Sequence, residues 1–291
     1  MKPEPDTLHR FLFEHFPIRG EFVHLDHSWQ GILENHDYPP PLKNILGELC
    51  AAAVLLAATL KLEGSLVLQI QGQGAIRLLV VECTGDLTLR ATAKWEGDLE
   101  GTFAELVGDG TFAITLDQEG GKQAYQGIVA LEGKSVAEIR QNYMTRSEQL
   151  ETWIRLAADE NYAAGFLLQK LPGEASADED AWPRITHLAS TLSDEELEDL
   201  SIEVLLRRLF HEEDVRLFDG VAVSFRCSCS REKVGEMLRM LGEEEIKSVL
   251  AERMAVDVQC AFCNRHYEFD SVDAAQLFAT SIPVPPSDTR H

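Results

Sequence analysis

The sequence is short of positive charge. Lys and Arg number 26 against 49 Asp and Glu, a formal net charge of −23. A chain this acidic repels a phosphate backbone, so nucleic acid is not an expected partner. An uncharged apolar run long enough to span a bilayer is also missing. The longest, residues 49–60, reads as a buried, alanine-rich helix, and no membrane association is expected. No export signal is visible, because residues 1–17 carry Asp6, Arg10 and Glu14 and hold no continuous apolar stretch. The expected location is the cytoplasm. In that reducing compartment six cysteines argue for metal or redox chemistry rather than structural disulfides. The sequence has no Gly-x-Ser-x-Gly motif and no phosphate loop, and its nine histidines show no His-x-x-x-His spacing. Gly72-Gln73-Gly74 lacks a third spaced glycine and a following lysine, so it reads as a hairpin turn. His187, His211 and His266 read as surface or partly buried residues. Glu195-Glu196 and Glu212-Glu213 read as solvated helix ends rather than an acid–base pair. No catalytic site emerges, and the protein is not expected to be an enzyme.

Hydrophobic residues make up 45 % of the 291-residue chain, enough for a sizeable core. Three regions separate by composition. Residues 1–172 form an α+β pattern around an antiparallel sheet. A proline knot at Pro39-Pro40-Pro41 precedes a helix over about 48–60. Alternation then predicts strands over 66–71, 75–82 and 87–93, with further strands at 111–116, 125–131, 152–157 and 164–171. Ser135 followed by Glu138 predicts a capped helix to about residue 150. Residues 173–225 are more charged: an acidic loop, a capping box at Ser193 and Glu196, and an apolar stripe of Leu197, Leu200, Val204 and Leu205 opposite Glu195, Glu198, Asp199 and Glu203. This reads as a helical linker that is stable only when docked. Residues 226–291 form a small C-terminal domain.

That domain holds Cys227 and Cys229 as Cys-x-Cys, and Cys260 and Cys263 as Cys-x-x-Cys, separated by the 30 residues from Ser230 to Gln259. Two close pairs around a small insert are the pattern of a tetrahedral four-cysteine zinc site. Four thiolates close the coordination shell, so the metal would be structural or regulatory and would number one per chain in the reduced state. Ser230 can cap a helix carrying Val234, Met237, Leu238 and Leu241 that ends at Gly242. A second helix carries Ile246, Val249 and Leu250. Val256 and Val258 alternate into Cys260, and Tyr267 and Phe269 alternate out of Cys263, which puts the second pair at a hairpin tip. Arg226, Arg231, Lys233 and Arg265 lie near the cysteines in sequence and offer charge to offset the thiolates. Cys50 and Cys83 sit alone in apolar segments and read as small buried hydrophobes.

Together these segments resemble the Hsp33-type redox-regulated chaperones. The resemblance is carried by Arg19-Gly20-Glu21-Phe22-Val23, Leu46-Gly47-Glu48-Leu49, Leu60-Lys61-Leu62-Glu63-Gly64-Ser65-Leu66 and Gln69-Ile70-Gln71-Gly72. It continues through Tyr125-Gln126-Gly127-Ile128-Val129, Ser147-Glu148-Gln149 and Leu168-Gln169-Lys170-Leu171-Pro172. Most specific are Phe225-Arg226-Cys227-Ser228-Cys229-Ser230 and Cys260-Ala261-Phe262-Cys263-Asn264. The resemblance implies an ATP-independent holdase that is inactive while Cys227, Cys229, Cys260 and Cys263 hold zinc. Oxidation of these redox-switch cysteines to disulfides would release the metal, unfold the linker, favour a homodimer and expose surface for unfolding client proteins under oxidative stress. One departure is Met254, where a glycine is expected before the strand that leads to Cys260. It bears on the local turn and not on the zinc ligands. Two other readings of the same cysteines are a zinc-ribbon binding module, opposed by the net charge, and a thiol-disulfide oxidoreductase, opposed by the absence of a βαβ context around Cys260 and Cys263.

Overall fold

The computed structural model describes residues 2–60, 62–118, 125–131, 133, 135–138, 150–172, 178 and 180–279. It divides into two compact units, Met1–Arg226 and Cys227–His291.

The first unit is built on two sheets. Sheet 1 contains β1 (Thr7–Phe13), β2 (Ile18–Leu25), β8 (Thr152–Ala158), β9 (Ala163–Lys170), β10 (Val215–Leu217) and β11 (Val221–Ala222). Its order is β10-β1-β2-β9-β8, with β11 also on β1, and every pairing is antiparallel. Sheet 2 contains β3 (Gly64–Gly72), β4 (Ile76–Thr84), β5 (Thr88–Trp95), β6 (Gly110–Gln118), β7 (Tyr125–Ala130) and β12 (Ser224–Phe225), in the order β12-β5-β4-β3-β6-β7. Only β12 on β5 is parallel in this sheet. The expected turn at Gly72-Gln73-Gly74 joins β3 to β4. A Cβ at Gly74 would lie 2.3 Å from the Leu106 carbonyl oxygen, so only glycine fits there.

The expected central helix, α2 (Pro40–Leu60), starts a full two turns earlier than the sequence suggests. Pro40 opens it rather than breaking it, since a proline in the first turn has no amide hydrogen to leave unpaired. This helix is long and apolar enough to cross a membrane by length and composition, yet most of it is buried inside the unit. It packs on β2, β8 and β9 of sheet 1 and on β3, β4 and β5 of sheet 2. Every residue from 49 to 58 is therefore buried, and the helix is apolar all round instead of amphipathic. The helix expected from Ser135 lies outside the described residues beyond Glu138, whose amide donates to Ser135 Oγ at 3.2 Å.

Sheet 1 has two apolar faces. Leu8, Val23, Leu25 and Leu167 face the core shared with α2. Phe11, Phe13, Ile18, Phe22, Phe166 and Leu168 face a second core. That core is closed by α4 (Ala181–Ala189), α5 (Asp194–Asp199) and α6 (Ile202–Phe210), which supply Ile185, Leu197, Leu205, Leu209 and Phe210. Two shorter helices complete the unit, α1 (His27–Leu33) and α3 (Phe103–Val107). The capping box at Ser193 and Glu196 is present, but the single stripe expected from Leu197 to Leu205 is broken. Leu200 is extended (φ −108°, ψ 131°), so α6 restarts at Ile202 and Val204 turns outward, 36 % exposed. Downstream of α6 the chain adds short strands to the edges of both sheets. Val223 is buried in the α2 core, and the Arg226 amide donates to the Leu89 carbonyl at 3.0 Å.

The second core ends in a polar seam. His24 is buried and stacks on Tyr162, ring centroids 5.6 Å apart and 6° from parallel. Neither of its ring nitrogens makes a hydrogen bond of good geometry, and buried Ser201 Oγ between α5 and α6 is in the same position. Burial lowers the His24 pKa below the ordinary histidine value, against the opposing pull of Asp26, Asp6 and the Glu198 backbone. The unfolded chain therefore takes up a proton below about pH 6.5 that folded His24 resists. This contribution to stability is complete above about pH 6.5 and declines as the pH falls through and below it. Melting temperatures measured from pH 8 to pH 5 should fall on the acid side, and His24→Gln should flatten that slope. An unchanged slope would show that His24 does not limit the dock.

Candidate metal centre

The second unit is small. β13 (Val256–Gln259) and β14 (His266–Phe269) form an antiparallel hairpin, with Val256 opposite Phe269 and Gln259 opposite His266. The tip closes when the Cys260 amide donates to the Arg265 carbonyl at 2.9 Å and the Asn264 amide to the Cys260 carbonyl at 2.8 Å. Asn264 takes the left-handed conformation this turn needs (φ 53°), one that asparagine tolerates better than most side chains. Ahead of the hairpin, Ser230 caps α7 (Arg231–Leu241) by accepting the Lys233 amide at 3.3 Å, and Gly242 at φ 97° ends it. α8 (Glu243–Glu252) and α9 (Ser271–Ala279) complete the unit. The expected helices and hairpin are all present. Among the described residues their common core is Leu238, Ile246, Val256, Tyr267, Phe269 and Ala274, with Val234, Val249, Leu250, Val258, Leu277 and Phe278 partly buried against it. Met237 and Leu241, expected on the inner face of α7, are 38 % and 58 % exposed. Met254 is 95 % exposed and does not have a positive φ, so the turn before β13 does not require glycine.

The hairpin tip and the segment before α7 bring Cys227, Cys229, Cys260 and Cys263 together, all four sulfurs within 4.8 Å of one another. Cys227 Sγ lies 3.7 Å from Cys260 Sγ, and Cys229 Sγ lies 3.4 Å from Cys263 Sγ. A tetrahedral zinc with bonds of about 2.3 Å needs sulfurs about 3.8 Å apart. Spacing and donor chemistry both fit that ion. Without a metal the cluster shares its protons unevenly. At Cys229 burial works against the thiolate, but hydrogen bonds from Tyr267 and the other three cysteines outweigh it and bring the pKa down to about 7. Burial and the neighbouring sulfurs push Cys263 up to about 12. A divalent cation would displace the protons from all four.

Of the basic residues near the cysteines in sequence, Arg265 bears on the sulfurs. Tyr267 and the charge of Cys229 and Cys263 raise its pKa above the ordinary arginine value. Arg231 is engaged elsewhere: its guanidinium stacks 4.2 Å from the Phe269 ring centroid, donates to the Glu268 carbonyl at 2.7 Å and pairs with Asp273 at 2.7 Å. Sequence reasoning placed Tyr267 only as an alternating strand residue and missed its hydroxyl, which donates to Cys229 Sγ at 3.1 Å. Cys50 and Cys83 are fully buried in the α2 core, as expected. Desolvation raises both thiols, Cys83 to about 12, so neither is ionised near neutrality. Glu196 is spent on the Ser193 cap, Glu213 pairs with Arg184 at 3.0 Å and His266 meets Asp257 at 3.0 Å across the hairpin. None of these converges on the sulfurs.

The sequence profile of the family described as Hsp33 protein matches residues 6–270. The 33 kDa chaperonin of Methylobacillus flagellatus is 58 % identical over 289 residues, covering 98 % of this chain and 99 % of that protein. The 33 kDa chaperonin of Chromobacterium violaceum is 50 % identical over 289 residues, covering 98 % of each. Among solved structures, the 33 kDa chaperonin (heat shock protein 33 homolog) of Thermotoga maritima superposes with a TM-score of 0.81 over 94 % of this chain and 98 % of that one, at 20 % identity. The sequence is that of a chaperone family, and the fold is shared with the Thermotoga maritima protein. The chain belongs to the Hsp33 protein family.

The geometry of the cluster predicts one zinc per reduced chain. Ser in place of Cys227, Cys229, Cys260 or Cys263 should weaken metal retention, whereas Cys50→Ser and Cys83→Ser should leave it unchanged and cost core stability alone. Metal analysis after dialysis checks this, and full zinc in a Cys260→Ser, Cys263→Ser double variant would exclude the site.

Proposed function

We propose that this chaperone is a redox-regulated, ATP-independent holdase of the cytoplasm. Its clients are unfolding proteins; nucleic acid and membranes are not its partners, and it catalyses no reaction. Cys227, Cys229, Cys260 and Cys263 hold one zinc in the reduced, inactive state. Bound zinc supplies the folding energy that so small a core lacks, about 10–16 kcal/mol apparent in comparable small zinc peptides. Oxidation of the four thiolates to disulfides removes the metal's donors and with them the order of residues 227–279.

The observation that carries this reading is the second core of the first unit. Sheet 1 presents Phe11, Phe13, Phe22 and Phe166 to α4, α5 and α6. These three helices have nine, six and nine residues, too few to be stable apart from their packing. The same stretch of chain runs on through β12 into Cys227. Treated as a metastable linker, residues 173–225 would undock once the zinc unit fails. An aromatic apolar sheet face would then be open to clients and to a second copy of the chain, giving the oxidised homodimer.

Within the cluster we assign the disulfides to Cys227–Cys229 and Cys260–Cys263. Proximity does not select these pairs: all four sulfurs lie within 4.8 Å of one another, and contacts of 3.7 Å and 3.4 Å run across the two motifs. Function does. A bridge such as Cys229–Cys260 would close the intervening loop and stabilise the unit by about 3–4 kcal/mol, replacing part of what the metal gave. Pairs within each motif leave the insert untethered.

Peroxide-treated protein should suppress aggregation of a thermally unfolded enzyme while reduced, zinc-loaded protein does not, and ATP should change neither. Hydrogen exchange should rise after oxidation in residues 180–225 more than in β3 to β5. Activity confined to the reduced form would refute the switch. Peptide mapping of the active form should find the two bridges within the motifs; a dominant bridge between the motifs, whether Cys229–Cys260, Cys227–Cys263, Cys227–Cys260 or Cys229–Cys263, would refute the pairing.

A further inference from the structure

The α2 face of sheet 1 turns polar where α2 stops. Leu8 and Val23 belong to the shared core. Further along the same face Arg10 stands opposite Glu21, Leu12 opposite Arg19, and Arg19 opposite Gln169. A cavity of about 680 Å³ opens over Arg10, Leu12, Arg19 and Glu21, lined also by the last turn of α2, by Leu62 and by Phe218 and Asp219. That volume suits a small molecule. Phe218 and Asp219 lie between β10 and β11, and the Phe218 amide donates to the Arg10 carbonyl at 2.9 Å.

The two arginines are held in different ways. Arg10 is committed. Its Nε lies 3.8 Å from Oε1 of Glu21, whose side chain is 2 % exposed, and its Nη2 donates to the Ala58 carbonyl at 3.4 Å. It thereby answers both a buried carboxylate and the negative end of α2. Arg19 is anchored by a neutral group. Its Nε and Nη2 both donate to Gln169 Oε1, and buried Gln169 is fixed in turn by donating to Thr152 Oγ1 at 3.1 Å. Among the described residues Arg19 has no ion pair and its Nη1 has no partner. An aimed, partly buried guanidinium therefore keeps an unmatched charge in a chain of net charge −23.

We propose that this cavity binds a small anion with an apolar body, of the class of medium-chain carboxylates, and that the bound molecule clamps the segment after β10 onto sheet 1. A carboxylate matches the planar guanidinium of Arg19. Its chain covers Leu12 and Leu62, which are partly buried, and Phe218, which is 40 % exposed. A multiply charged anion is disfavoured, because Glu21, Asp219 and the end of α2 oppose a second negative charge. The clamp rests on the proposed switch, in which residues 173–225 undock. Undocking takes Phe218 out of the cavity, so a ligand that needs Phe218 favours the docked form by a factor of one plus the ratio of its concentration to Kd.

Octanoate is the probe, with 1-octanol as its uncharged counterpart and inorganic phosphate as the multiply charged anion. Each is titrated calorimetrically into the reduced, zinc-loaded full chain. One octanoate should bind per chain, about ten-fold tighter than 1-octanol, and phosphate should not displace it. Arg19→Gln should weaken octanoate about ten-fold and leave 1-octanol unchanged, whereas Phe218→Ser should weaken both. With octanoate at ten times Kd, hydrogen exchange at the amides of residues 217–223 should slow about ten-fold, with β4 unaltered. Equal affinity for octanoate and 1-octanol, or full octanoate affinity in Arg19→Gln, would overturn the site. Should Arg19→Gln fail to fold, Phe218→Ser decides, and undiminished octanoate binding there overturns it. Unchanged exchange at saturating octanoate would overturn the clamp. Failure of the redox-switch reading has a different signature: peroxide-treated protein free of octanoate suppresses no aggregation, while octanoate still binds the reduced chain and still slows exchange.

Discussion

A β-sheet with two apolar faces needs two covers, and sheet 1 has two of unequal strength. On one face lies α2, a continuous helix of 21 residues whose stretch from 49 to 58 is buried on every side by two sheets. On the other lie α4, α5 and α6, separated by breaks at residues 190–193 and at Leu200-Ser201. The outward sides of these helices are held by ion pairs: Arg155 with Asp194, Arg184 with Glu213 and Asp178, Arg208 with Glu196. Several of these partners are well exposed, and such pairs contribute little in water. The second cover therefore depends on the aromatic face beneath it, on Phe210 and Leu205 meeting Phe13 and Phe166. That dependence is mutual. Phe11, Phe13, Phe22 and Phe166 cannot stay open to water without drawing some other apolar surface onto themselves.

The small unit is governed by a second constraint of the same kind. A chain of 65 residues, Cys227–His291, whose described residues bury six core side chains, is of a size at which apolar burial alone is marginal. Arg231 helps by tying α7 to β14 and α9 through Phe269, the Glu268 carbonyl and Asp273. Even so, the four sulfurs are what join its two halves, the segment before α7 and the hairpin tip. On the proposed redox reading, two structures that are each marginal, and consecutive in the chain, would lose their order in stages from one chemical event.

Much of this was legible in the sequence, because the relevant signals are local. The cysteine spacing, the Ser193 and Ser230 caps, the Gly242 stop and the alternation of β3 to β5, β13 and β14 each need only a few neighbouring residues. What was not legible depends on tertiary context. β1 and β2 are buried on both faces, so their sequences lack the polar–apolar alternation that marks β3. The prolines at the start of α2 read as a break because Pro40 and Pro41 are tolerated only within the first helical turn, which pattern alone does not reveal. The interruption at Leu200 is concealed by an apolar stripe that continues through it. Tyr267 occupies the expected inward position on its strand, and the direction of its hydroxyl is a property of the folded hairpin. The chaperone reading itself came from resemblance across many short segments, since no composition or spacing encodes affinity for unfolded chains.

Environment also explains why one residue type serves two ends in a single chain. Cys50 and Cys83 lie in the α2 core, where desolvation keeps their thiols protonated and no oxidant reaches them. They pack as small apolar groups. Cys227, Cys229, Cys260 and Cys263 are only partly buried, within 4.8 Å of one another, with Arg265 close by. Proximity of four sulfurs makes a metal site, and it also makes every sulfur a partner for another once electrons are removed. Burial closes both routes for the first pair and partial exposure opens both for the other four. Under the proposed switch, the stability of the small unit and a sensitivity to oxidants would have one origin, and strengthening the first by burying the sulfurs deeper would remove the second.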